Sequence, residues 1–184
     1  MSDEGLCLLL DRDGVINELL PGAYVTTPEE FVFREGVIEG LAKLTGVCTY
    51  FFIVTNQQGI GKGLMTEADL EAIHSKMLKA IVSGGGKIDG IYHCPHLAAD
   101  HCRCRKPADG MVRRLFADFP DSATRPLLLI GDGAVDLSLG SRIRANCYGM
   151  RHEHNALEDW SDFPHLAVSD FSQFTDRVLS DYSQ

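Results

Sequence analysis

An acidic pair near the start of the chain has residue types and spacing that could do chemistry on a phosphate. Asp11 and Asp13 stand two residues apart, separated by Arg12 and followed by Gly14. Two carboxylates spaced in this way can serve a metal ion and a reacting phosphate together. A solvated acidic turn is the alternative, because isolated Asp-x-Asp patterns are common. The pair by itself leaves both interpretations open.

Two further polar segments offer ligands for a phosphate and for a cation. Thr55 and Asn56 precede a glycine-rich run whose backbone N–H groups could cradle phosphate oxygens. Asp132 lies in a Gly-Asp-Gly turn, with Asp136 one helical turn later, and Mg²⁺ prefers carboxylate oxygens as ligands. Each segment taken alone could equally be a polar turn or loop.

Positive charge for a phosphate is supplied by the adjacent residues Arg105 and Lys106, which Pro107 follows. A buried lysine would neutralise phosphate charge and stabilise a phosphoryl-transfer transition state. The chain thus carries Asp-x-Asp, Thr-Asn, Lys and Gly-Asp in that order, and three of these motifs follow successive apolar runs. Random polar turns would rarely produce this arrangement.

Four metal-binding side chains cluster just before this basic pair: Cys94, His96, Cys102 and Cys104. Three cysteines and one histidine form an established tetrahedral zinc set. A reduced, unliganded thiol cluster or an adventitious disulfide is the alternative. Because all four ligand positions are filled by protein, no site remains for water, and a structural Zn²⁺ is predicted. The predicted zinc loop spans residues 94–104. Surface or packing roles are expected for the histidines outside it, at 74, 93, 152, 154 and 165.

Hydrophobic patterning predicts that these groups lie at strand ends. Apolar runs at 6–10, 47–54 and 127–131 each lead into one of the three acidic or amide segments, as is typical of buried parallel strands. Further strands are predicted at 90–94, 146–150 and 166–168, and helices at 37–44, from Thr66 to the glycines at 84–86, and at 112–119, 135–143 and 171–179.

This alternation predicts an α/β fold with a doubly wound, mainly parallel sheet and helices on both faces. In such folds ligands bind at the carboxyl ends of the strands. The length predicts one domain, residues 1–184, with the small zinc-binding loop and without a large cap domain.

The combined motifs resemble the haloacid dehalogenase superfamily, and more narrowly its small phosphatases that act on heptose bisphosphate or histidinol phosphate. The matching segments are DRDGVIN (11–17), TNQQGIGKG (55–63), CPH and CRCRKP (94–107), and GDGAVDL (131–137). The resemblance covers about residues 6–150. It implies the Rossmann-like fold of that superfamily and a magnesium-dependent phosphatase.

The resemblance also implies a covalent mechanism. Asp11 would attack phosphorus and form an aspartyl-phosphate, while Asp13 would protonate the leaving group and then activate water. The phosphoryl oxygens would be held by Thr55, Asn56, Arg105 and Lys106. Magnesium would be held by the side chains of Asp11 and Asp132 and by the backbone carbonyl of Asp13, with Asp136 orienting these ligands.

The substrate implied by the resemblance is a small phosphorylated metabolite. Segments 22–37 and 88–96 favour D-glycero-D-manno-heptose 1,7-bisphosphate, cleaved at the 7-phosphate, whereas the short zinc loop fits histidinol phosphatases equally well. An alternative of another class is an inactive, zinc-stabilised module that binds nucleic acid through the basic segment 103–106.

Composition weighs against nucleic acid as a partner, because 17 basic and 26 acidic residues give a net charge of −9. Apolar runs fall far below the ~20 residues that a membrane span needs. The acidic first residues do not resemble a signal peptide, so we expect a cytoplasmic protein with reduced thiols. The sequence leaves the oligomeric state open and is compatible with a monomer.

Overall fold

The central strands form from runs of apolar residues that are buried on both sides. The computed structural model describes residues 5–156 and 158–182. Its six strands are β1 Leu6–Leu10, β2 Cys48–Asn56, β3 Gly90–Cys94, β4 Leu127–Gly131, β5 Asn146–Met150 and β6 Leu166–Val168. Neighbouring strands pair in parallel in the order β3-β2-β1-β4-β5-β6. The carboxyl ends of β2, β1 and β4 therefore lie side by side.

Helices cover both faces of this sheet, as predicted. They are α1 Val37–Leu44, α2 Gln58–Gly61, α3 Glu67–Ser83, α4 Gly110–Asp118, α5 Ala134–Ile143 and α6 Phe171–Tyr182. Side chains alternate along β1, so that Leu8 and Leu10 join a core with α1, α3 and α6. Cys7 and Leu9 join a second core with α4 and α5. The doubly wound α/β prediction is confirmed.

The predicted elements are found within a few residues of their expected bounds, and Thr66 begins α3 as its cap. The Thr66 hydroxyl accepts the backbone N–H of Asp69 at 3.1 Å, and the Asp69 carboxylate accepts the Thr66 backbone N–H at 2.8 Å. The short helix α2 was not predicted, since its glycines favoured a loop. Gly61 at its end lets the zinc loop approach closely, because a Cβ there would lie 2.7 Å from the Pro95 carbonyl oxygen.

The segment between β1 and α1 folds back on itself rather than forming a large cap. The backbone N–H of Glu18 donates to Val32 O, and that of Arg34 donates to Ile16 O, both at 2.9 Å. The apolar residues of this antiparallel segment pack into the core that contains α1, α3 and α6. Among the helices of the described residues, none is long and apolar enough to cross a membrane.

Candidate active site

Three carboxylates meet at the carboxyl edge of the sheet. Asp11 directly follows β1, Asp132 directly follows β4, and Asp136 lies in the first turn of α5. One oxygen from each lies within 4.8 Å of the others. Gly14 makes this approach possible, because it has φ +82° and a Cβ there would lie 1.9 Å from Asp132 Oδ2. The structure thus brings together the predicted magnesium ligands Asp11 and Asp132.

The predicted cation Lys106 is buried among these carboxylates. Its Nζ lies 2.8 Å from Asp11 Oδ1 and 2.6 Å from Asp136 Oδ1, and it donates to the Val54 carbonyl at 2.9 Å. Burial alone would lower the pKa of Lys106, but the charges of Asp11 and Asp136 outweigh that effect and raise it. The lysine therefore stays protonated at the base of the site.

For Asp11, in contrast to Lys106, the surroundings shift the pKa toward the uncharged form. Burial, together with the charge of Asp136, raises the pKa of Asp11 to about 7, even though Lys106 opposes the rise. A carboxylate nucleophile must be ionised, and a divalent cation bound between Asp11 and Asp132 would favour that ionised form. The arrangement of two carboxylates and one lysine therefore fits a site that takes a divalent cation.

Asp13 is held by donors on both of its oxygens. Arg12 Nη2 donates to Asp13 Oδ1 at 2.9 Å and to Oδ2 at 3.0 Å, while Asn17 donates to Oδ1 and Gln57 to Oδ2. Burial would raise the pKa of Asp13, but the Arg12 guanidinium and the two amides outweigh burial and lower it. Asp13 is therefore an ionised acceptor in this state, as a general base must be.

The arginine that holds Asp13 is itself fully buried and contacts a buried histidine. Arg12 Nη1 lies 3.4 Å from His74 Nε2. Burial, reinforced by the Arg12 charge, lowers the pKa of His74 to about 3, so the ring is neutral and can accept from the guanidinium. Sequence reasoning assigned the histidines outside the zinc loop to surface or packing positions, and it gave no signal for this contact.

The polar end of β2 connects the active site with the basic pair. The buried Thr55 hydroxyl accepts Gln57 Nε2 at 2.9 Å, next to the Asp13 contact. The side-chain amide of Asn56 pairs with the backbone of Lys106, accepting its N–H at 3.0 Å and donating to its carbonyl at 3.4 Å. Asn56 therefore fixes the lysine backbone, and direct contact of Asn56 with phosphate stays a prediction.

Arg105 offers a free donor beside the buried lysine. Its Nη1 is buried and has no hydrogen-bond partner among the described residues. Arg105 lines a cavity of about 550 Å³ together with Lys106 and Val135. A buried guanidinium donor without an acceptor suits a ligand that brings an anionic oxygen.

The four predicted zinc ligands converge at the end of β3. Five of the six distances between Cys94, Cys102 and Cys104 Sγ and His96 Nδ1 are 3.1–3.5 Å, and all four atoms lie within 4.8 Å of one another. A tetrahedral ion with Zn–S bonds of about 2.3 Å requires S–S separations of about 3.8 Å, so a small expansion would fit Zn²⁺. The donor set therefore matches a closed zinc site, and its last ligand precedes Lys106 by two residues.

A second loop, which the sequence did not single out, contacts the acidic centre from the other side. His152 Nε2 lies 2.9 Å from Asp132 Oδ2, and Asn155 Nδ2 donates to the Asp132 backbone carbonyl at 2.7 Å. The expectation of a surface or packing role is therefore wrong for His152. Its position two residues after β5, the neighbour of β4, was the only signal available.

Comparison with known proteins finds relatives that match about three quarters of this chain. No protein-family model matches the chain. A D-glycero-alpha-D-manno-heptose-1,7-bisphosphate 7-phosphatase of Mycobacterium tuberculosis is 40% identical over 139 residues, which are 76% of this chain and 73% of the relative. A D-glycero-beta-D-manno-heptose-1,7-bisphosphate 7-phosphatase of Bordetella bronchiseptica is 38% identical over 136 residues, which are 73% of this chain and 74% of the relative.

Solved structures agree with the sequence relatives. The D,D-heptose 1,7-bisphosphate phosphatase of B. bronchiseptica, complexed with magnesium and phosphate, superposes with a TM-score of 0.85 at 30% identity, over 96% of this chain and 99% of that one. The enzyme from Burkholderia thailandensis gives a TM-score of 0.65 at 27% identity, over 95% and 99% of the two chains. The chain therefore belongs to the heptose 1,7-bisphosphate 7-phosphatase family of the haloacid dehalogenase superfamily, and it is a phosphatase.

Proposed function

We propose that this phosphatase removes the 7-phosphate of D-glycero-D-manno-heptose 1,7-bisphosphate through an aspartyl-phosphate on Asp11. The observation that carries the proposal is the convergence of Asp11, Asp132 and buried Lys106 at one strand edge. The substrate follows from the names of the relatives, whose similarity extends over about three quarters of this chain.

The acidic centre fits magnesium because its donors are all oxygens. Asp11 and Asp132 would supply side-chain ligands and Asp13 its backbone carbonyl, with Asp136 held on Lys106 beside them. When bound, Mg²⁺ offsets the repulsion between a carboxylate nucleophile and a phosphate dianion and polarises the phosphoryl oxygens.

The first half-reaction transfers the phosphoryl group to the protein. An oxygen of Asp11 forms a bond to phosphorus while the bond from phosphorus to the sugar oxygen breaks. A proton from Asp13 passes to that leaving oxygen. For this step Asp13 must bind a proton and release part of its contact with Arg12, because a protonated oxygen would place its hydrogen against N–H donors.

The second half-reaction returns the protein to its starting state. Asp13, now a carboxylate held by Arg12 and Gln57, takes a proton from water, whose oxygen attacks phosphorus. The bond between phosphorus and Asp11 breaks, and inorganic phosphate leaves. The contacts described for Asp13 correspond to this base form.

Two hydrogen-bond donors and one positive charge are available for the substrate's phosphate groups, because the three N–H groups of Lys106 already have acceptors. Lys106 and the Thr55 hydroxyl lie at the strand edge beside Asp11, and the unpartnered Nη1 of Arg105 points to a further anionic contact. The zinc loop would hold this arrangement structurally, since Cys102 and Cys104 immediately precede the basic pair. Three thiolate ligands also suit a reducing compartment such as the cytoplasm.

The test is phosphate release by the zinc-loaded protein with magnesium, on heptose 1,7-bisphosphate and on histidinol phosphate. We expect a strong preference for the heptose, with the 7-phosphate lost first, and Asp11→Asn should lower turnover by at least ~10⁴-fold while the protein stays folded. Preference for histidinol phosphate would contradict the substrate assignment. Near-normal turnover by Asp11→Asn would contradict the nucleophile assignment.

A further inference from the structure

We propose that His152 and Asn155 are positioning residues that hold Asp132 in the orientation needed to bind Mg²⁺ and so set the affinity of the acidic centre for the ion. Both belong to residues 151–156 and 158–160, which we call the His152 loop. The inference rests on the magnesium site of the proposed function. It concerns groups that do not themselves reach the ion.

The imidazole of His152 has a defined hydrogen-bonding role. Its Nδ1 accepts the backbone N–H of His154 at 3.3 Å, and its Nε2 lies 2.9 Å from Asp132 Oδ2. Because Nδ1 accepts this hydrogen bond, the ring proton lies on Nε2, which donates to the carboxylate. A protonated nitrogen has no lone pair for a metal, and His152 therefore positions Asp132 without being a ligand.

The contact is shielded from water. The His152 and Asp132 side chains are 8% and 15% exposed. Burial raises the pKa of Asp132, and the hydrogen bond from His152 opposes that rise. One carboxylate oxygen is thus fixed by the imidazole, which leaves the other oxygen for a cation at the acidic centre.

Asn155 fixes the backbone on which both residues stand. Its Nδ2 donates to Asp132 O at 2.7 Å and to Met150 O at 2.8 Å, and its Oδ1 accepts the N–H of His152 at 2.9 Å. The buried amide therefore ties the ends of β4 and β5 to each other and to the histidine.

The rest of the loop supports this pair. Arg151 Nη1 donates to the carbonyls of Asn155 and Glu158 at 2.8 and 3.0 Å, and its guanidinium lies 3.4 Å from the ring centroid of Trp160. The orientation of Asp132 is thus fixed by hydrogen bonds of the protein itself. Hydrogen-bond partners that orient a metal ligand typically contribute about 10- to 100-fold to metal affinity.

The experiment is calorimetric titration of the zinc-loaded protein with Mg²⁺, which needs no substrate. We expect His152→Leu to weaken Mg²⁺ binding about 10- to 100-fold, and His152→Gln, which keeps an N–H donor near the Nε2 position, to stay within about 3-fold of the natural protein. His154→Leu is the matched control two residues away, because the His154 ring packs against the His152 ring but forms its ion pair with Glu153 rather than with Asp132.

Each result decides the matter. Unchanged Mg²⁺ affinity in His152→Leu, or equal weakening in the Leu and Gln variants, would overturn the inference, and absence of Mg²⁺ binding by the natural protein would overturn the site on which it rests. At saturating Mg²⁺, kcat of His152→Leu should recover while its KM for the sugar stays unchanged. If circular dichroism shows that His152→Leu does not fold, His152→Asn replaces it, and an affinity for Mg²⁺ equal to that of His152→Gln would then overturn the inference.

Discussion

Two loops reach the acidic centre from opposite sides, and they are held in different ways. The zinc loop follows β3 and leads to Lys106, whereas the His152 loop follows β5 and holds Asp132. The first is closed by four side chains that suit Zn²⁺, and the second by hydrogen bonds from its own side chains to backbone carbonyls. One support is therefore predicted to depend on a bound ion, whereas the other consists of hydrogen bonds within the protein.

Each of the two loops is accompanied by an asparagine whose side-chain amide holds the backbone of a charged residue of the site. Asn56 pairs with the backbone N–H and carbonyl of Lys106, and Asn155 donates to the backbone carbonyl of Asp132. In both cases a side-chain amide fixes the backbone of a charged residue rather than the charge itself. The two loops can therefore be compared by removing one charge, one metal ion or one amide at a time.

Loss of the charge that the zinc loop delivers should have the largest effect. We expect Lys106→Met to lower kcat about 10³-fold, as the loss of a preorganised group that stabilises the transition state does. Saturating Mg²⁺ should not restore activity, in contrast to His152→Leu. Steady-state kinetics over a magnesium series distinguish the two variants, and recovery of Lys106→Met at high Mg²⁺ would mean that the loops act on the same property.

Removal of zinc should disable one loop and spare the other. Chelation, or Cys102→Ser, should lower turnover about 10²-fold, because metal binding supplies much of the folding free energy of such a loop. Limited trypsin digestion should then cleave after Arg103 and Arg105 while Arg151 stays protected. Cleavage at Arg151 on the same timescale would show that the two supports are coupled.

The asparagine in the His152 loop should contribute more to stability than the one beside the zinc loop. Asn155→Ala leaves two backbone carbonyls without their donor, and we expect the free energy of unfolding to fall by about 1–3 kcal/mol. Asn56→Ala should lower stability less and kcat more. Denaturant unfolding and kinetics of the two variants test this, and identical losses would argue against separate roles.

The smallest effect is expected at the outer contact of the His152 loop. Arg151→Lys keeps the positive charge but loses the planar guanidinium that faces Trp160 and bonds two carbonyls. We expect the free energy of unfolding, measured by thermal unfolding, to fall by about 1 kcal/mol while turnover stays nearly unchanged. A large loss of Mg²⁺ affinity would extend the positioning role to Arg151.

The placement of polar side chains at the strand ends could be predicted, because apolar runs and the residues that follow them are visible in the sequence. Asp11, Thr55 and Asp132 come directly after apolar runs. A cluster of three cysteines and one histidine has few interpretations other than a metal site. The contacts among those residues could not be predicted in the same way. Nothing in the spacing shows that Asn56 pairs with Lys106, 50 residues away, rather than facing phosphate.

The His152 loop was missed for a different physical reason. Side-chain hydrogen bonds to backbone carbonyls need particular positions in space but no hydrophobic period, so residues 151–160 read as a polar connection. His152 and Asp132 are 20 residues apart, and parallel pairing of β4 with β5 brings them together. Their contact depends on sheet order, which a single sequence indicates only in outline.

Trp160, the only tryptophan in the chain, lies in the His152 loop and not in the zinc loop. Its ring is buried beneath the Arg151 guanidinium, and its Nε1 donates to the Glu158 carboxylate at 2.9 Å. The native fluorescence of the protein therefore reports on one of the two loops. Emission that stays constant while zinc is removed, and shifts when the Asp132 side is disturbed, would distinguish changes in the His152 loop from changes in the zinc loop without any added label.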